Sequence, residues 1–348
     1  NTEDRDARPR IRDLGVAPGI LPTGALNAIT DVEGVRIGQV TLVRGDAVRT
    51  GVTAILPHDG NLYQEKVRAA VHVGNGFGKA AGFLQVQELG VIESPIILTN
   101  TLNVAEGIAG GVEWTLAQEG NEAVRSVNVV VGETNDGVLN DIRGRHVTKD
   151  NVIDAIENAA PGAVEEGAVG AGAGTVCFGW KGGIGTASRR LPESLGGWTV
   201  GALVQSNFGG VLTIDGRRIG EALGQYSFRS HLERDNDVEE EDRTSSGDGS
   251  CMIIIATDAP LTARQLERFA RRGPLGLART GSFMSNGSGD FILAFSTANR
   301  IVHHSPIETV EIEHLRDDAM SPLFLAAVEA VEEAIYNSLT TATTTTGN

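Results

Sequence analysis

The sequence predicts a mixed α/β fold in which layered sheets are covered by helices. Three observations carry this. Short runs rich in Val, Ile and Leu recur at strand length along the whole chain, helical periods fall between them, and no regular strand–helix–strand repeat marks a doubly wound parallel sheet. With 348 residues, 41% of them hydrophobic, the chain can build a substantial core at the size of one large domain or two modest ones. Its 45 glycines are dispersed among the apolar runs, so they predict tight turns and close backbone approaches instead of a low-complexity chain.

Strands are expected over residues 35–42, 51–56, 96–98, 127–131, 175–178, 199–204, 252–257, 291–295 and 309–312, each bounded by Gly, Pro, Asp or Asn or close to one. Residues 103–119 read as a helix whose Gly107, Gly110 and Gly111 allow close packing on a sheet, and a second begins at Thr148 with Val152, Ile153 and Ile156 on one face. Asp258 and Pro260 predict a capped start for a helix over 261–272, and Ser321-Pro322 one for 323–339.

Charge and motif content exclude several classes. With 29 basic against 45 acidic residues the formal net charge is −16, no basic patch is visible, and a nucleic acid would meet repulsion. No apolar run approaches the roughly 20 residues of a membrane helix. Cys177 and Cys251 sit in apolar runs as free thiols, and the seven histidines form no i,i+4 pair, so neither a disulfide framework nor a metal site is indicated. Gly170-Ala-Gly-Ala-Gly precedes a strand instead of following one into a helix, which makes it close backbone packing, not a nucleotide loop. No cofactor is expected.

One segment breaks the globular pattern. Residues 233–242 read ERDNDVEEED, a net −6, within an acidic linker expected over 226–249, and the buried run Ser250-Cys-Met-Ile-Ile-Ile follows directly. An ordinary loop entering a strand would look the same. Gly249-Ser250 also has the parts of a self-cleaving bond: a hydroxyl that can attack the preceding carbonyl, and a glycine that tolerates the strain. Cleavage would leave Ser250 with an α-amine, of unperturbed pKa about 8, able to deprotonate its own Oγ.

The stretch Ser250-Cys-Met-Ile-Ile-Ile-Ala-Thr-Asp-Ala-Pro-Leu resembles the small-subunit start of the L-aminopeptidase/D-esterase and β-peptidyl aminopeptidase family of autoprocessed N-terminal serine hydrolases. Arg12-Asp-Leu-Gly, Val131-Gly-Glu-Thr-Asn-Asp-Gly-Val-Leu-Asn-Asp, Lys181-Gly-Gly-Ile-Gly-Thr-Ala-Ser-Arg and Val204-Gln-Ser-Asn are similar to its other motifs, in order along nearly the whole chain. The resemblance implies an αββα sandwich with N-terminal-nucleophile-like architecture, cut into subunits 1–249 and 250–348 that assemble as four αβ units. It implies removal of N-terminal residues from small peptides, amino acid amides and esters, β-amino acids being accepted by some members.

Carried over by motif, Ser250 is the nucleophile. Ser288 and Asp290 orient its amine and hydroxyl, Asn207 donates to the oxyanion, and Glu133 faces the substrate's ammonium. On turn and capping statistics alone, each of these could equally be a structural residue. Two positions depart from some members: Asp290 stands where Glu occurs, and Asn135 where a Tyr occurs near the substrate. Both put substrate preference in question, not reaction class. The rival readings are an acyl transferase resembling the ornithine acetyltransferases, whose nucleophile is normally Thr, and an uncut, non-catalytic binding protein. The chain starts without Met, so compartment stays open: periplasmic if a presequence was removed, otherwise cytoplasmic.

Overall fold

The computed structural model describes residues 8–232 and 249–347. Its strands are β1 Arg36–Arg44, β2 Val48–Leu56, β3 Glu65–Gly76, β4 Val91–Ile92, β5 Ile96–Asn100, β6 Val130–Thr134, β7 Val176–Cys177, β8 Trp180–Lys181, β9 Gly183–Arg190, β10 Thr199–Asn207, β11 Thr213–Ile214, β12 Arg217–Arg218, β13 Ser250–Thr257 and β14 Gly289–Val302. The helices are α1 Phe83–Leu89, α2 Val104–Leu116, α3 Lys149–Glu157, α4 Ile219–Ala222, α5 Arg229–Leu232, α6 Ala263–Ala270, α7 Gly273–Arg279 and α8 Ser321–Thr340. One sheet runs β1-β2-β5-β6 and the other β4-β3-β14-β13-β10-β9. The pairs β5/β6 and β13/β14 are parallel and the remaining pairs of both sheets antiparallel.

Strand alternation builds the layers. On β13, Met252, Ile254 and Ala256 point between the two sheets, while Cys251, Ile253 and Ile255 point to the layer of α6, α7 and α8. Val52, Ala54 and Ile97 of the smaller sheet face Val152, Ala155 and Ile156 of α3. The order is therefore helices, sheet, sheet, helices, as the family resemblance implies. Gly107 and Gly111 let α2 lie on the sheet, since a Cβ there would come within 2.8 and 2.5 Å of Val131 and Val129; at Gly110 it would strike Val152 of α3 at 2.6 Å.

The N-terminal segment is tied down by charge. Arg189 is wholly buried, donating to Glu329 at 3.0 Å and Glu333 at 2.8 Å, and Arg12 pairs with Glu333 at 2.7 Å. Ile20 and Leu21 donate backbone N–H groups to Glu329.

Several expectations are corrected. Residues 309–312 are not a strand: Thr309, Val310 and Glu311 are exposed, Ile312 only partly covered, and β-propensity without a partner does not make a sheet. The expected strand over 175–178 shrinks to β7. The helix at 263 is capped not by Asp258 but by Thr262, in a capping box with Gln265; Asp258 instead accepts the Thr199 N–H at 2.7 Å. Within the stretch 226–249 expected as a linker, Ser227 is buried, Phe228 stacks on Phe283 at 5.9 Å and α5 follows, while residues 233–248, with the acidic run, lie outside the described residues.

Candidate active site

Ser250 opens β13, where the register sets Asn207, the last residue of β10, opposite it on one side and Gly289, the first of β14, on the other. Asn207 and Ser250 are both buried. Asn207 Nδ2 lies 3.4 Å from Ser250 Oγ and donates to the Asn135 carbonyl at 2.9 Å, while its Oδ1 accepts the Val176 N–H at 3.0 Å. The amide is thereby fixed with its NH₂ toward the hydroxyl. Asn135 contributes its backbone N–H, 3.4 Å from Ser250 Oγ; its side chain turns back to accept the Gly137 N–H at 3.0 Å. Two N–H donors thus converge on Ser250 Oγ from different strand ends.

The loop behind Asn207 is held by a cation that opens one of the family-like motifs but to which the sequence assigns no role. Lys181 Nζ is buried and donates to the carbonyls of Gly172, Thr175 and Gly182 at 2.7, 3.0 and 2.7 Å, tying together the turn that delivers Val176 N–H to Asn207. Burial brings its pKa down to about 7, and the nearby Asp136, itself pushed up to about 6 by burial, favours the charged form.

Gly249 is fixed by space. A Cβ there would lie 2.2 Å from the Asn207 carbonyl oxygen and 2.6 Å from Phe208 Cα, so no other residue fits before Ser250 in this arrangement. The Gly249 carbonyl accepts the Gly289 N–H at 3.1 Å.

Ser288 and Asp290 flank Gly289 and are buried; Asn75 Nδ2 donates to the carbonyls of Ser285, Asn286 and Ser288 and pins this turn. Among the described residues, neither Ser288 Oγ nor either Asp290 oxygen receives a well-formed hydrogen bond. Burial pushes the Asp290 carboxyl up to about 6, and the nearby Ser288 hydroxyl holds it down in part. Glu133, on β6, is buried too. Its Oε1 accepts the Lys79 N–H at 2.9 Å, and burial raises its pKa against the opposing effect of Lys79. No cluster of three or more His, Cys, Asp or Glu suited to a metal ion occurs among the described residues, and no helix there is long and apolar enough to cross a membrane.

A four-layer αββα fold with a serine at the start of a central strand defines an N-terminal-nucleophile type of hydrolase. The model of peptidase family S58 matches residues 27–348, and this chain belongs to that family. It is 41% identical over 97% of its length, and 87% of the relative's, to β-peptidyl aminopeptidase BapA of Sphingosinicella microcystinivorans. A crystal structure of a Pyrococcus horikoshii protein, 49% identical, superimposes with a TM-score of 0.87 over 98% of this chain and 94% of that one. The L-aminopeptidase D-Ala-esterase/amidase of Ochrobactrum anthropi, described as a prototype for the serine aminopeptidases and a variant of the Ntn hydrolase fold, is 37% identical; it has a TM-score of 0.85 over 96% of this chain and 91% of its own.

Proposed function

We propose that this chain is a self-processing serine aminopeptidase that cuts itself at Gly249-Ser250 and then releases N-terminal residues from small peptides, amides and esters, β-amino acyl substrates included. The observation that carries this is the convergence of the Asn207 amide and the Asn135 N–H on the hydroxyl of Ser250, a residue preceded by a glycine that nothing larger can replace. In self-cleavage, Ser250 Oγ attacks the Gly249 carbonyl carbon, the C–N bond breaks as the amide nitrogen takes a proton, and water hydrolyses the resulting ester. The buried Ser288 hydroxyl and Asp290 carboxylate are groups that the new α-ammonium would satisfy.

In turnover the neutral amine takes the Oγ proton and Oγ attacks the substrate carbonyl; the ammonium so formed returns the proton to the leaving group as its bond to the carbonyl carbon breaks, and water hydrolyses the acyl-Ser250 ester to free the amino acid. The Asn207 NH₂ and Asn135 N–H are the candidate donors to the oxyanion, a contribution on the order of 3 kcal/mol per donor. Glu133 supports aminopeptidase specificity, because a buried carboxylate favours substrates that present a free ammonium over those whose terminal amine is acylated. Serine in place of threonine, and membership of a peptidase family, favour hydrolysis over acyl transfer or uncatalytic binding. An assembly of four αβ units belongs to this reading and is checked by light scattering.

The test is hydrolysis of aminoacyl p-nitroanilides with free and acetylated amines by wild type and Glu133→Gln. Free-amine substrates should be turned over and acetylated ones poorly, and the variant should lose that preference. Equal turnover of both by wild type contradicts the reading.

A further inference from the structure

The carboxylate assigned to the substrate's ammonium already has a cation beside it. Lys79 Nζ lies 3.8 Å from Glu133 Oε1, and the same oxygen accepts the Lys79 backbone N–H at 2.9 Å. Lys79 Nζ is also held by Thr101 Oγ1 at 2.7 Å. The two partners differ in accessibility: the Glu133 side chain is 5% exposed and the Lys79 side chain 58%. Close approach of the backbone is possible because residue 78 is glycine; a Cβ there would come within 2.8 Å of Glu133 Oε1 and 3.0 Å of the Phe291 ring. Among the described residues, Lys79 is the charged group that faces Glu133, with the Thr101 hydroxyl as its neutral neighbour.

The geometry points to Lys79 as a tethered occupant of the ammonium subsite, which the substrate's own ammonium displaces. This rests on the reading of Glu133 given above and extends it to the empty enzyme. A carboxylate buried without a countercharge has its pKa raised further and holds its charge over a narrower pH range. Lys79 keeps it ionised, and because its side chain is mostly in water it can withdraw to solvent at little cost when a substrate enters. Occupancy has a kinetic signature: the apparent affinity of a ligand falls by the fraction of sites open to it. A pair whose lysine is mostly in water corresponds to a ratio of closed to open subsites of about one to four, and since KM rises by one plus that ratio, Lys79 should raise it about two- to fivefold.

The experiment compares wild type, Lys79→Met, Lys79→Arg and Glu133→Gln on a free-amine alanyl p-nitroanilide at pH 7, with propylamine as competitive inhibitor. Lys79→Met should lower KM about two- to fivefold and lower the propylamine inhibition constant by the same factor, with Lys79→Arg restoring wild-type values. In the same variant the acid limb of kcat/KM should move to higher pH, because Glu133 has lost its countercharge. A merely structural lysine would not tighten binding at neutral pH and weaken it in acid. If Glu133→Gln raises KM while Lys79→Met leaves it unchanged or raises it, the displacement role is overturned and the subsite stands. If Glu133→Gln leaves KM and amine inhibition unchanged, the subsite itself falls, and the role of Lys79 with it.

Discussion

Asn207 Nδ2 and Ser250 Oγ lie 3.4 Å apart across directly paired positions of two antiparallel strands, so the sheet itself, not a loop, sets their separation. The carboxamide is locked at both ends, Oδ1 on Val176 N–H and Nδ2 on the Asn135 carbonyl. Asn207→Ala removes a preorganised donor and should lower kcat by about a hundredfold or more with a smaller change in KM. Steady-state kinetics on cut enzyme checks this.

Lys181 acts on the same amide from behind, through the carbonyls of Gly172 and Thr175. Lys181→Met leaves the Thr175 carbonyl only the Gly182 N–H and the Gly172 carbonyl the hydroxyl and N–H of Thr175, and so loosens the turn that carries Val176. A loss in kcat of about tenfold is expected, since misplacement of a catalytic group is costly even when the group remains. Combining it with Asn207→Ala should add little further loss, because both act through one amide. Full additivity in the double variant would contradict the coupling.

Gly249→Ala tests the packing before the nucleophile. Its Cβ would meet backbone on two sides, at 2.2 Å from Asn207 O and 2.6 Å from Phe208 Cα. The chain can relieve this only by leaving the pairing that sets Ser250 against Asn207, so self-cleavage should slow by at least about tenfold. Time-resolved denaturing gels report the rate directly.

The pH profile should expose the amine base. Activity is expected to rise with pH as the Ser250 α-ammonium, of unperturbed pKa about 8, becomes neutral. An ionised Asp290 favours the charged ammonium and so raises that pKa; removing the charge in Asp290→Asn should move the rising limb to lower pH and lower its plateau. By the same attraction, the ammonium should hold Asp290 in the cut enzyme below the value of about 6 that burial gives it in the uncut chain. An unmoved limb in Asp290→Asn would show that the two do not interact.

Stability rests on a different cluster. Arg189→Met would leave Glu329 and Glu333 buried without a main countercharge, at a cost of about 3–5 kcal/mol. Denaturant unfolding measures it, and kinetics below the transition should change far less than for Asn207→Ala.

The layered fold and the bulky strands were legible because Val, Ile and Leu runs report burial directly. β9 was not, since its Gly, Thr, Ala and Ser residues lack bulk for a packing reason: a Cβ at Gly185 would lie 1.9 Å from the Ala334 carbonyl of α8. β3 is not legible because Arg68 and His72 interrupt its apolar pattern although the strand sits inside the larger sheet. In the site, family motifs led to Ser250, Asn207, Glu133, Ser288 and Asp290, and the structure places Ser250, Asn207 and the Asn135 backbone together. Lys79 lies in no quoted motif and Lys181 opens one without an assigned role, because the first acts by a contact across a long sequence separation and the second through one ammonium on several carbonyls. At Asn135 the motif points to the side chain, whereas its backbone N–H is what faces Ser250, and no residue type encodes that.

The most direct test of the central claim is mass spectrometry of the purified, active protein under denaturing conditions, with an N-terminal read of each fragment. The account predicts two fragments, the smaller beginning Ser250-Cys-Met-Ile, and only intact, inactive chain in Ser250→Ala. Intact chain as the sole species in a fully active preparation would contradict it.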